Sequence, residues 1–153
     1  MQNGKELKEL ICSQLHGLID RKIEIALSAI DSARESRDSD TKSSVGDKYE
    51  TGRAMMQIEL ENNKIQLSKA LDLKKELSRI DIKKDYTRTE PGSLVITNQG
   101  NYFISVGLGK IEANNQDYYS ISLASPIGKL LHNREIGDSV KFQGREFTIT
   151  DIT

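Results

Sequence analysis

From Lys5 to Glu35 the apolar positions recur at steps of three and four residues: Leu7, Ile11, Leu15, Ile19, Ile23, Ala26, Ile30 and Ala33. That spacing draws one stripe along an α-helix. No proline interrupts it, and Gly17 is the only breaker. At about 1.5 Å per residue the predicted helix is roughly 45 Å long. Tyr49 to Ile80 follows the same rule, with Met56, Leu60, Leu67, Ala70, Leu73 and Leu77 as the stripe and Glu and Lys side chains around it. Two narrow stripes joined by a short polar segment predict a long antiparallel coiled-coil hairpin. The other use of such a stripe is a face for a partner helix.

The predicted connector runs from Ser36 to Gly46 and is rich in Ser and Asp. Asp47 is placed as an N-cap, with Glu50 three residues on completing a capping box. After Lys84 the period changes from helical to alternating. Strand-like runs cover residues 94–97, 102–106, 118–123, 139–142 and 146–150. Asn98-Gln99-Gly100, Asn114-Asn115 and Gln143-Gly144 are the turn signals between them. Ser125 caps a predicted short helix with Pro126 in its first position. The expected class is therefore α+β: a helical hairpin over residues 1–84, then a small antiparallel β domain over residues 85–153 with one short helix.

Charge adds an exclusion. Lys and Arg number 22 and Asp and Glu 23, for a net charge of −1. Tight, sequence-independent binding to nucleic acid requires a strongly basic face, which this balance does not provide. Cys12 is the only cysteine, so no internal disulfide and no cysteine-rich zinc site is available. His16 and His132 lie in no catalytic motif, and Gly107-Leu108-Gly109-Lys110 lacks the spacing of a phosphate loop. A self-contained enzyme is not expected. No apolar run is long enough for a membrane span or a signal peptide, and a cytoplasmic location is expected.

Candidate chemistry is confined to carboxylates. Asp38 and Asp40 fall at the expected hairpin tip, and Asp47 and Glu50 open the return helix. Such groups supply hard oxygen ligands to a Mg²⁺ held mainly by another molecule, where the ion can activate water for phosphodiester hydrolysis. On the residues alone, the favoured reading is that they are ordinary solvated turn and cap residues.

One segment carries a more specific signal: Ser120-Ile121-Ser122-Leu123-Ala124-Ser125-Pro126-Ile127-Gly128-Lys129-Leu130-Leu131, followed by Gly137-Asp138-Ser139-Val140. With Ala29–Glu35 before the tip and Tyr49 opening the return helix, it resembles the Gre family of bacterial transcript-cleavage factors. The resemblance covers most of the chain. It implies an FKBP-like fold for the β domain, which would grip RNA polymerase at the rim of its secondary channel through Ser125, Pro126, Ile127 and Gly128. It also implies a hairpin that enters the channel, where tip acids help hold a Mg²⁺ shared with the polymerase and no cofactor is bound stably. Nucleic acid would be met only through that complex.

Cleavage-active members carry Asp-x-x-Glu-Asn-Ala-Glu-Tyr at the tip. This chain has Thr41-Lys42-Ser43-Ser44-Val45-Gly46-Asp47-Lys48-Tyr49 instead, with no ungapped match to the acid pair. Asp38 and Asp40 are the substitutes in a tip of different length. A binder of the channel that regulates or inhibits transcription without cleavage is the alternative expectation. A coiled-coil interaction module outside transcription is a third.

Overall fold

A computed structural model describes residues 4–40 and 46–153; for residues 39, 40 and 46–49 it describes the backbone alone. The elements are α1 (Gly4–Asp40), α2 (Gly46–Ser78), β1 (Leu94–Thr97), β2 (Asn101–Ile104), β3 (Gly109–Ala113), β4 (Gln116–Ile121), α3 (Pro126–Leu131), β5 (Ser139–Phe142) and β6 (Arg145–Ile152). They form two compact units. One runs to His16 and resumes over Lys75–Thr153; the other is Gly17–Lys74. The change of pattern after Lys84 falls inside the first unit.

The second unit is a helical hairpin. Ile19, Ala26, Ile30 and Ala33 of the α1 stripe are buried, and Leu60 and Ala70 answer them from α2. Ile30, Ala33 and Leu60 form a core cluster against which Leu67 packs. Polar ties flank this seam. Lys74 Nζ lies 2.9 Å from Asp20 Oδ1, and Arg37 donates to Gln57 Oε1 at 3.1 Å. α1 continues through Ser36–Asp40, beyond the predicted end at Glu35. The modest helix preferences of Ser and Asp give way where Arg37 is held by the opposite helix. α2 begins at Gly46, so Asp47 stands within its first turn and is not the N-cap.

The first unit contains a six-stranded sheet in the order β3-β4-β2-β1-β6-β5. Five strands were expected. The additional one is β3, assigned from sequence to a connection. Its alternating burial, with Ile111 and Ala113 inward, pairs it to β4 through Ala113↔Gln116. The two residues between, Asn114 and Asn115, have φ of 52° and 63°. Two consecutive positive φ values make the tight hairpin turn whose twist suits antiparallel strands. Gln143 and Gly144 make the same kind of turn between β5 and β6. The sheet is not wholly antiparallel as expected: β2 and β4 pair in parallel, Tyr102 opposite Tyr119. The β3 hairpin occupies the path between them, which returns β4 in the direction of β2. The core gathers Tyr86, Val95, Ile104, Leu131, Phe147 and Ile149.

Candidate functional site

The segment that carries the strongest sequence signal forms one corner of the first unit. Ser125 has extended backbone and closes the start of α3: its Oγ accepts from Gly128 N–H at 3.1 Å and donates to Ser122 O at 2.7 Å. Pro126 takes the first helical position, where a missing N–H costs nothing. Gly128 is required for space, because a Cβ there would overlap the Ser122 carbonyl and stand 2.8 Å from Ser125 Oγ. Leu131 is fully buried beneath the helix. The following turn is built likewise. Gly137 has φ of 94°, Asp138 Oδ2 accepts from Glu135 N–H at 2.8 Å, and Gly137 N–H donates to Ile149 O at 2.8 Å. Ser125, Gly128, Gly137 and Asp138 thus shape the corner, leaving Pro126 and Ile127 as its outward features.

Ile127 rims a groove of about 380 Å³ shared with Tyr102, Phe142, Gln143, Arg145 and Phe147. The rings meet at steep angles: Tyr102 and Phe147 have centroids 6.2 Å apart and are inclined by 60°, and Phe142 and Phe147 are 6.5 Å apart and inclined by 59°. Tyr119 extends the series, 5.8 Å from Tyr102. Burial, then Tyr119, push the Tyr102 hydroxyl above its ordinary range, opposed by Arg145. The phenol therefore stays neutral at physiological pH and Arg145 is the charge at the groove. An aromatic floor with one guanidinium suits an aliphatic side chain next to a carboxylate. The whole chain has only five Tyr, three Phe and no Trp. Four fall together because β2, β4, β5 and β6 each contribute one, a convergence that sequence spacing does not reveal.

A second site escaped the sequence reading. Lys8 has no exposed surface, and its ammonium donates to the main-chain oxygens of Lys84 at 3.2 Å, Gly92 at 3.1 Å and Thr153 at 3.2 Å. It also lies 4.8 Å from the centroid of the Tyr86 ring. Tyr86 donates to Asp81 O at 2.7 Å, and the close approach at Gly92, φ 100°, leaves no room for a side chain beside that hydroxyl. All three donor positions of the ammonium are used, so this is a structural clamp with no free valence for chemistry.

Of the four hairpin acids, the side chains of Asp38 and Glu50 are described. Asp38 is exposed, with Arg37 Nε 3.2 Å from its Oδ1. Glu50 is exposed on α2. The side chains of Asp40 and Asp47 lie outside the described residues, as do residues 41–45. Among the described residues no three His, Cys, Asp or Glu side chains are grouped to hold a metal ion. The carboxylates have the hard-oxygen chemistry that Mg²⁺ prefers, but those described fit only an ion whose remaining ligands come from another molecule. Cys12 is buried, and burial raises its thiol above the usual range, which keeps it inert. Among the described residues, no helix is long and apolar enough to cross a membrane.

No family model, curated protein or solved structure matches this chain.

Proposed function

We propose that the chain is a Gre-like transcription elongation factor. It binds RNA polymerase at the secondary channel, inserts its helical hairpin and stimulates the polymerase's own cleavage of backtracked RNA. On this proposal the chain is not itself an enzyme, and the sheet with its capped helix is an FKBP-like domain. The observation that carries the proposal is the α3 corner. Ser125-Pro126-Ile127-Gly128 and Gly137-Asp138, the residues of the resemblance, build one surface feature beside an apolar groove. A near-neutral net charge agrees with recognition of a protein surface and with nucleic acid met only inside the complex.

In the proposed mechanism Ile127 and the aromatic groove dock on the polymerase, and the hairpin delivers carboxylates to its catalytic centre. Asp38 and Glu50, with Asp40 and Asp47, are the candidates to complete the shell of a second Mg²⁺, which supplies the activated water when bound. The test is transcript cleavage on a backtracked elongation complex. Stimulated cleavage that disappears in the Asp38→Ala/Asp40→Ala double variant, with polymerase binding retained, is the expected result. Unchanged cleavage in that variant overturns the tip assignment.

The ion pair between Arg37 and Asp38 favours a second reading. A carboxylate already engaged by a guanidinium is a poorer metal ligand, and the tip departs from the cleavage-active pattern. A channel binder that slows initiation or elongation without cleavage fits both observations. The same assay separates the two: slower RNA synthesis with no cleavage products supports the second.

A further inference from the structure

α2 carries a second apolar stripe that the hairpin does not use. Met55, Ile58 and Ile65 are 60%, 62% and 51% exposed, and Asn62 between them is exposed too. Measured round the helix at about 100° per residue, Ile58 and Ile65 lie roughly 140–160° from buried Leu60, on the side away from α1. The steps from Met55 to Ile58 to Asn62 to Ile65 are three, four and three residues, the spacing of a coiled-coil seam. Scattered exposed apolar side chains need no explanation, but three in heptad register around an asparagine form a pattern.

We propose that this face docks a second copy of the same chain, with the two α2 helices parallel and in register. Asn62 favours that occupant. In a parallel pair it meets its own counterpart across the two-fold axis, where the amides bond to each other, the arrangement by which a lone asparagine selects two parallel strands. The flanking charges agree. Within the seam, parallel pairing sets Glu59 opposite Ala54 and Glu61 opposite Gln66 of the other copy, with no like charges facing; the next two seam positions, Lys69 and Asp72, would each meet their own counterpart and so end the contact there. The antiparallel alternative places Asn62 against Ile58 and brings Glu59 and Glu61 each opposite itself, which is repulsive. With so few apolar layers the contact falls short of a permanent interface, so the pair is transient and concentration-dependent.

The test uses the full chain. Sedimentation equilibrium over a concentration series is expected to show reversible dimers. Ile58→Lys with Ile65→Lys should weaken them by roughly tenfold or more, with helix content by circular dichroism unchanged because both positions are exposed. In a Cys12→Ala background, Met55→Cys alone, which keeps Asn62, is expected to form a disulfide-linked dimer under mild oxidation. Chains carrying Met55→Cys mixed with chains carrying Ile65→Cys should not cross-link to each other. A chain that stays monomeric throughout, dimers indifferent to the paired lysine substitutions, or cross-linking of the Met55→Cys chain to the Ile65→Cys chain overturns the proposal.

Discussion

Lys8 illustrates how one residue can decide local order against its own preferences. A lysine without exposed surface is held only because three main-chain oxygens and a tyrosine ring take over from water. Lys8→Met keeps the length of the stem but leaves those oxygens without their donor. A loss of about 2–4 kcal/mol is expected in denaturant unfolding. The pH dependence has a definite sign. Burial is the main cause holding the Lys8 proton affinity below the ordinary value of 10.5; Asp85 and Asp81 raise it and Lys5 lowers it further. In the window just below 10.5 the folded chain holds this proton less fully than the unfolded chain does. Unfolding there takes up a proton, so stability from Lys8 rises with pH. The deficit of Lys8→Met relative to the parent chain should therefore widen from neutral toward pH 10.5. A constant or narrowing deficit contradicts the assignment. At Gly128 the constraint is space alone. Gly128→Ala should cost about 2–3 kcal/mol through the displaced Ser122 carbonyl, read as a lowered Tm. Neither role was visible in the sequence. Lys8 follows Leu7 as one more polar position, and its partners lie 76 to 145 residues away.

At the scale of elements, what repeats along the chain is legible and what depends on long-range pairing is not. The α1 and α2 stripes emerge from spacing because every third or fourth residue faces the same neighbour, and Ile19, Ile30, Leu60 and Ala70 are buried as the pattern requires. Ser125 and Pro126 announce α3 for a similar reason, since a cap is a local bond. β3 is short and starts in a glycine-rich stretch, so its identity depends on the Asn114-Asn115 turn and on β4. The parallel contact of β2 with β4 leaves no local mark at all. Two substitutions follow from the helices. Gly17 lies exposed in α1, and a Cβ there would meet nothing within 4 Å. Gly17→Ala should stabilise the chain by about 0.5–1 kcal/mol through backbone entropy. Asn63 sits half-buried on the hairpin side of α2 with a buried amide nitrogen that has no partner among the described residues. Asn63→Leu removes that unpaired donor, and a gain of about 1 kcal/mol is expected. Thermal unfolding of each variant measures both.

At the scale of the whole molecule, the proposed function assigns two tasks to two residue sets, and that division can be tested without knowing how the units are arranged. Docking is assigned to the groove beside α3, where Arg145 is exposed and Ile127 half-buried. Delivery of carboxylates is assigned to the hairpin. Arg145→Glu reverses the charge at the groove without touching the core, and Ile127→Ala trims the apolar rim. Each is expected to weaken association with core RNA polymerase by roughly tenfold or more, because a central apolar anchor and its adjoining charge dominate small interfaces. Asp38→Ala/Asp40→Ala should leave that association within about twofold, since exposed acids at the edge of a contact contribute little. Binding measured by interferometry, with circular dichroism confirming the fold, gives the comparison. If the groove variants bind as the parent chain does while the hairpin variant does not, the two roles must be exchanged. If the parent chain binds no polymerase, a coiled-coil module outside transcription becomes the better description. The near-zero net charge makes one further distinction: association that survives added salt marks apolar docking through Ile127 and the aromatic rings, whereas steep salt dependence would assign it to charge.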